Sequence, residues 1–254
     1  MDRIRRVYHP SVEGSDTLIL LEPDEARHVA RVLRLRTGDS VSVFDGRGRE
    51  WSGTLIASRP STVRVKVGEE RHDPVEPDLE VVLYQGLCRP DRLDWVIQKG
   101  TEIGFSGFRI VEDARSQIPP PSPSRFARWN RVALEACKQS GRRRLPEVTG
   151  PLARPPVPEE GALGLLLEAN HRQARPLGEV LTGPRPERVW LAVGPEWGFD
   201  PQEVRAMTAS GWISCALGPR TLRTETAGMI AGGVVLHAWG DLGSPRVDSV
   251  PPAP

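Results

Sequence analysis

Three short segments in the last third of the chain combine residue types and spacings suited to holding a ligand and acting on it. They are Glu168-Ala169-Asn170, the run Gly194-Pro195-Glu196-Trp197-Gly198-Phe199, and the longer stretch from Leu217 through Gly218, Leu222, Arg223, Thr224, Glu225 and Thr226 to Ala227. Each follows an apolar run that reads as a buried strand: ALGLLLE, VWLAVG and WISCALG. In a parallel sheet, ligands collect beyond the carboxyl ends of the strands, so three polar, glycine-bearing loops at such ends imply a pocket. Gly194, Gly198 or Gly218 alone would be an ordinary turn glycine. Together they bare the backbone for a ligand read by main-chain N–H and C=O groups. Thr224 with Glu225 behind it also reads as a helix N-cap carrying an acid in its first turn, and both readings hold at once.

Other cofactor signatures are missing. The chain has no GxxxxGK[ST] loop, no GxGxxG between a strand and a helix, no GxSxG and no HExxH. Walker-type nucleotide sites, the dinucleotide fold and the easiest hydrolase readings are thereby set aside. Cys88, Cys137 and Cys215 are odd in number and far apart, with no CxxC pair and no nearby His cluster. A disulfide framework and a metal site are both disfavoured.

The elements that must position these loops follow from patterning. Residues 254 in number, 38% hydrophobic and 26% charged, fit one large globular domain or two ordinary ones. No apolar run is long enough to cross a bilayer, and MDRIRRVYHP lacks a signal-peptide core, so a cytoplasmic protein is expected. Residues 1–72 read as a small β-barrel, from TLILLE, SVSVFDG, EWSGTLIAS and STVRVKVGEE, interrupted by one helix opening at Pro23. Ala26, Val29, Ala30 and Leu33 recur there at helical spacing and should face the core. HDPVEPDLE supplies a linker at 73–80. From 81 to 243 strands and helices alternate, the α/β pattern of a parallel sheet covered on both faces. The proline-bearing tail, 244–254, is expected to be disordered.

Formal net charge is only +1, which excludes a bulk polyanion binder, so any nucleic-acid surface must be local. Two candidates exist. Arg27, His28, Arg31 and Arg34 surround the first helix, with Arg5 and Arg6 on the first strand; they read either as a solvated face or as an RNA-contacting stripe. Between Asp113 and Arg144 the eight basic residues include Arg115, Lys138, Arg142, Arg143 and Arg144, against the acids Asp113 and Glu135. The helix expected from about Pro123 to Ser140 would bury Phe126, Trp129, Val132 and Ala136. A solvated flank explains its stepped arginines; three consecutive arginines after Gly141 point to phosphate contact.

GPEWGF, LGPRTLRTETA, KGTEIG followed by Arg115-Ser116, and Gln139-Ser140-Gly141-Arg142 resemble, in order and spacing, the RsmE family of 16S ribosomal RNA (uracil-N3)-methyltransferases in the SPOUT superfamily. ARHVARVLRLRTGDSVSVFDGRG resembles that family's PUA-like RNA-binding barrel, so the likeness spans nearly everything before the tail. Trp197, where the family usually has a second glycine, and Lys138, where it usually has an acid, depart from the pattern.

The resemblance implies a SPOUT α/β domain whose chain end threads a loop into a trefoil knot, with S-adenosylmethionine bent in that knot. It places Leu167 and Glu168 in the first knot loop, Gly194, Pro195, Glu196 and Gly198 in the second, and Leu217, Gly218, Leu222, Arg223 and Thr226 in the third. It further implies a homodimer acting on 16S ribosomal RNA within the small subunit, at the family's target, uridine 1498. For the chemistry, Arg223 is nominated to stabilise the uracil anion and Glu225 or Glu196 to take the imide proton. The competing reading of Arg223 is a salt bridge to Glu225 or Glu168. A ribose 2′-O-methyltransferase and a non-catalytic RNA-binding or ribosome-assembly factor are the alternatives.

Overall fold

The computed structural model describes residues 5–59, 62–112, 118–168 and 174–243. The chain divides into two compact units. The division falls between Glu76 and Pro77, within the stretch read as a linker, and the segment Cys137–Leu145 groups with the first unit. The expected tail, 244–254, lies outside the described residues.

The first unit holds a five-stranded sheet in the order β1-β3-β4-β5-β2. Its strands are β1 (Arg5–Tyr8), β2 (Leu18–Leu20), β3 (Ser40–Phe44), β4 (Glu50–Arg59) and β5 (Thr62–Arg71). β1 runs parallel to β3; the other pairings are antiparallel. Alternation makes β5 two-faced, since Val63, Val65 and Val67 are buried while Arg64 and Lys66 face outward. The valines join Val7, Val43, Trp51 and Leu55 in one core. Pro23 starts α1 (Pro23–Arg27), which continues as a π-helical turn, His28–Val32. Ala26 and Val29 enter the core as expected, and Ala30 packs at its edge.

This unit corrects the reading of three arginines. Arg143, its side chain only 5% exposed, donates from Nε to Glu50 Oε2 (2.8 Å) and from Nη1 to the carbonyls of Arg71 (3.1 Å) and Asp73 (2.8 Å), with Nη2 2.9 Å from Asp73 Oδ1. Arg142 donates from Nη2 and Nε to Glu76 Oε2 at 2.8 and 3.0 Å. Glu76 Oε1 accepts the backbone N–H groups of Arg143 and Arg144. Arg6 donates to Glu50 Oε1 (2.8 Å) and to the Cys137 carbonyl (2.6 Å), and its guanidinium lies 4.5 Å from the Phe44 ring centre. Folding therefore does ask for this density of positive charge, because buried carboxylates must be paired. Arg6, Arg142 and Arg143 are thus held inward by protein partners. The acids Asp73 and Glu76, read as part of a linker, are instead anchor points. Lys138 is likewise taken, donating to Glu25 Oε2 at 2.5 Å.

The second unit is a seven-stranded, all-parallel sheet in the order β10-β12-β9-β11-β6-β7-β8. Its strands are β6 (Glu80–Gly86), β7 (Gly107–Val111), β8 (Glu147–Leu152), β9 (Ala162–Leu167), β10 (Arg175–Pro176), β11 (Arg188–Val193) and β12 (Ile213–Ala216). Between them run α2 (Pro90–Ile103), α3 (Pro123–Ser140), α4 (Leu177–Val180), α5 (Pro201–Ala209) and α6 (Thr224–Trp239). Central strands are apolar throughout because helices cover both faces, as Val81 to Tyr84 and Val189 to Val193 illustrate. The two edge strands carry little sequence signal, β8 containing Gly150 and Pro151 and β10 being only two residues long. In α3 the buried positions are Trp129, Ala133, Ala136 and Cys137, with Phe126 and Val132 only half-buried. Among the described residues no helix is long and apolar enough to cross a membrane, and no cluster of His, Cys, Asp or Glu could hold a metal ion. All three cysteines are free and buried.

Candidate active site

Register brings the loops together. Gln85 on β6 lies opposite Val193 on β11, Val193 opposite Leu167 on β9, and Leu167 opposite Cys215 on β12, so four strands end abreast. Just past that line the Glu168 N–H donates to the Cys215 carbonyl at 2.9 Å. The N-terminal turn of α6 is hooked to the middle loop, since Thr224 Oγ1 donates to the Gly194 carbonyl (2.5 Å) and accepts from Gln85 Nε2 (2.8 Å). Close approach demands glycine at two points. A Cβ on Gly86 would lie 2.4 Å from Pro195 N, and one on Gly194 would lie 2.8 Å from Gly198 C.

The result is a cavity of about 600 Å³. Of the cofactor-binding candidates, Leu167, Glu168, Gly194, Pro195, Glu196, Gly198, Leu217 and Leu222 line it; Gly218, Arg223 and Thr226 do not. Trp197 lines it too while remaining 45% exposed, so the indole stands at the cavity without filling it. Phe199, Val204, Arg205, Arg220 and Thr221 complete much of the remaining wall. Burial pushes the Glu168 carboxyl above its ordinary range, and no cation partner offsets this among the described residues. Burial, aided by the negative charge of Glu225 and Glu196, drives the Cys88 thiol up to about 12, and burial lifts Cys215 to about 11. Both sulfurs stay protonated near neutrality and are poor nucleophiles.

The catalytic candidates are distributed differently from the expectation. Arg223 is the N-cap residue of α6, exposed, with no side-chain hydrogen bond or ion pair among the described residues; the competing salt bridge to Glu225 or Glu168 is absent there. Arg92, in the first turn of α2, takes that place. Its Nη1 donates to Glu196 Oε1 at 2.8 Å, and its Nε is 3.6 Å from Glu225 Oε1. Sequence reading missed Arg92, although it follows the carboxyl end of β6 just as the nominated loops follow β9, β11 and β12. Gln85, fully buried at the end of the same strand, was missed for want of any local motif.

In the first unit, Arg5, Arg27, Arg31 and Arg34 are exposed and His28 is half-buried, with Arg27 paired to Asp24. Arg115 lies outside the described residues.

Known proteins share this organisation. A family model described as an RNA methyltransferase domain matches residues 75–236, and one described as an RNA methyltransferase PUA domain matches 21–68. Ribosomal RNA small subunit methyltransferase E of Mycobacterium bovis is 31% identical over 90% of this chain and 89% of its own length. The Bacillus subtilis protein of the same name is 28% identical over 82% of this chain and 85% of its own. Among solved structures, ribosomal RNA small subunit methyltransferase E from Neisseria gonorrhoeae bound to S-adenosyl methionine superposes with a TM-score of 0.85 at 28% identity, covering 94% of this chain and 99% of that one.

Proposed function

The chain belongs to the ribosomal RNA small subunit methyltransferase E family, and from that membership we propose that it methylates N3 of one uridine in 16S ribosomal RNA, uridine 1498 in the numbering of the family's target. It is an RNA methyltransferase that uses S-adenosylmethionine. The observation that carries the finer reading is the crevice itself: a cavity at the ends of β9, β11 and β12, near an uncommitted guanidinium and two carboxylates.

The residues fit the donor. The volume falls in the range of small-molecule sites, and the apolar walls from Leu167, Leu217, Leu222 and Phe199 suit a purine. Glu168, desolvated and without a cation among the described residues, can accept from a hydroxyl of the donor. Gly194 keeps part of the cavity wall as bare backbone, and Gly86 lets β6 approach the Gly194-Pro195 backbone behind it. Bound there, S-adenosylmethionine supplies an electrophilic methyl group whose carbon bonds to N3 as the carbon–sulfur bond breaks and its electron pair stays on sulfur. Threading of the chain end through the loops belongs to the same reading.

This chain's side chains must then make N3 nucleophilic. N3 lies on the Watson–Crick edge, so the uridine enters unpaired or turned out of its helix. Its proton passes to Glu225 or Glu196, and the anion spread over O2 and O4 is stabilised by Arg223. Attack in line requires placement more than covalent help, consistent with the two neutral thiols. Exposed Arg5, Arg27, Arg31 and Arg34 supply phosphate contacts. In this reading the protein works in the cytoplasm on the small subunit, as a homodimer. Exposed Ile230 and Val234, one turn apart on α6, and exposed Trp95 on α2 support the dimer.

Mass spectrometry of nuclease-digested 16S ribosomal RNA from cells with and without the gene tests the proposal. Loss of a base-methylated uridine on deletion is expected; loss of a ribose 2′-O-methyl, or no change, would reject it.

A further inference from the structure

We infer that Arg92 is a positioning residue for the transfer: it fixes Glu225, the less solvated of the two acids it holds, as the group that takes the N3 proton. The inference rests on the N3 reading above and decides between its two candidate acceptors. Arg92 belongs to the first turn of α2, and Glu225 to the first turn of α6. These helices pack together, α2 following β6 and α6 following β12. Glu196 sits on the cavity wall in the intervening loop. One guanidinium thus ties two loops that the chain reaches separately.

The two carboxylates are not equivalent. Glu196 is 34% exposed and accepts a 2.8 Å hydrogen bond from Arg92 Nη1, so its charge is both solvated and engaged. Glu225 is 16% exposed; its Oε1 lies 3.6 Å from Arg92 Nε, and its Oε2 is buried with no hydrogen-bond partner. A desolvated carboxylate oxygen without a donor is costly, and such exceptions cluster where chemistry is done. The same pairing explains why Arg223 has no carboxylate partner. Arg92 occupies Glu225, so the exposed guanidinium at the α6 N-cap is left for the uracil O2 or O4. In the step, N3–H gives its proton to the Glu225 carboxylate, the N3 electron pair remains on the ring, and Arg223 faces the resulting charge.

A double-mutant cycle on the full-length protein with small-subunit RNA tests this. Methyl transfer is measured under single turnover, S-adenosylmethionine affinity by calorimetry, and folding by thermal melting. Arg92→Ala is expected to lower the transfer rate about a hundredfold through misplacement of the acceptor, with donor affinity nearly unchanged. Glu225→Gln is expected to lose at least as much, and the double variant no more than Glu225→Gln alone. Arg92→Lys, which keeps the charge and loses the fork, should fall between wild type and Arg92→Ala and serves if Arg92→Ala melts early. Additive losses, or a loss carried by donor affinity, would overturn the inference. A wild-type protein that methylates another atom would instead overturn the N3 reading, and is recognised separately by product mapping.

Discussion

Arg143→Ala separates two meanings of a basic cluster. The side chain, 5% exposed, satisfies Glu50 and the carbonyls of Arg71 and Asp73, and sits against the Asp73 carboxylate. Removing it strips two carbonyls of a donor, at about 1 kcal/mol each. It also leaves Glu50 with Arg6 and Ser42 where it had two cations and a hydroxyl. Leaving a buried charge with no partner costs about 3–5 kcal/mol, but Glu50 keeps Arg6, so its share is about 2 kcal/mol and the total about 4 kcal/mol. With a urea slope of about 2 kcal/mol/M, the unfolding midpoint should drop by about 2 M. RNA affinity is then measured across salt concentrations at a temperature where circular dichroism shows the variant folded. The slope of log affinity against log salt should match wild type, because no phosphate contact has been removed. An unchanged midpoint together with a slope flattened by about one unit would mean that Arg143 binds RNA and that the buried network is incidental.

Four further outcomes follow from the same reasoning. Charge reversal at Arg31 and Arg34, both exposed, should weaken RNA binding and flatten its salt dependence without moving the urea midpoint; an unchanged slope would remove the first helix from the RNA surface. Burial alone would raise the Glu50 carboxyl, but the Arg6 charge and hydrogen bonds from Ser42, Arg6 and Arg143 hold it below its ordinary value. A depressed acid contributes stability above the unfolded-state range and loses it as pH falls through the folded value, so the urea midpoint should decline below about pH 4, and Glu50→Gln should blunt that decline while being less stable at pH 7. Gly86→Ala forces a methyl to within 2.4 Å of Pro195 N, and calorimetry should show S-adenosylmethionine affinity reduced about tenfold or more; normal affinity would mean that the loops yield freely. Arg223→Ala should leave that affinity within a few-fold and cut methyl transfer about a hundredfold, whereas equal losses in both would reassign Arg223 to the donor site.

Much of the architecture was legible because it is written in local patterns. Val81 to Tyr84 and Val189 to Val193 are apolar without alternation, which only a doubly covered parallel strand requires, and Val63, Val65 and Val67 alternate with charges as a one-sided strand must. The short edge strands β8 and β10 were not legible. Glu147–Leu152 contains a glycine and a proline and is largely exposed, so neither periodicity nor burial marks it. Arg175–Pro176 is too brief to carry a pattern. In the crevice, the loops that follow apolar strands could be found from composition alone. Gln85 could not, because its role depends on Thr224, which lies 139 residues away in sequence.

Arginines expose the limit most clearly, since density along the chain is a poor guide to what a guanidinium faces. Arg142 and Arg143 stand in the densest basic run yet are consumed by Glu50, Asp73 and Glu76, acids far away in sequence. Arg92 stands among mixed charges and holds two carboxylates at the crevice. Arg223 has an acid two residues along and leaves it to Arg92. The informative quantity is therefore the supply of buried carboxylates that each arginine must answer, and a guanidinium with none to answer is the one left for substrate. By that criterion the exposed Arg31 and Arg34 on the first unit, Arg205 and Arg220 on the cavity wall, and the exposed Arg223 at the head of α6 are where negative charge on the RNA should be met. Of the three consecutive arginines that first suggested RNA contact, Arg142 and Arg143 hold their own unit together, while the Arg144 side chain is exposed.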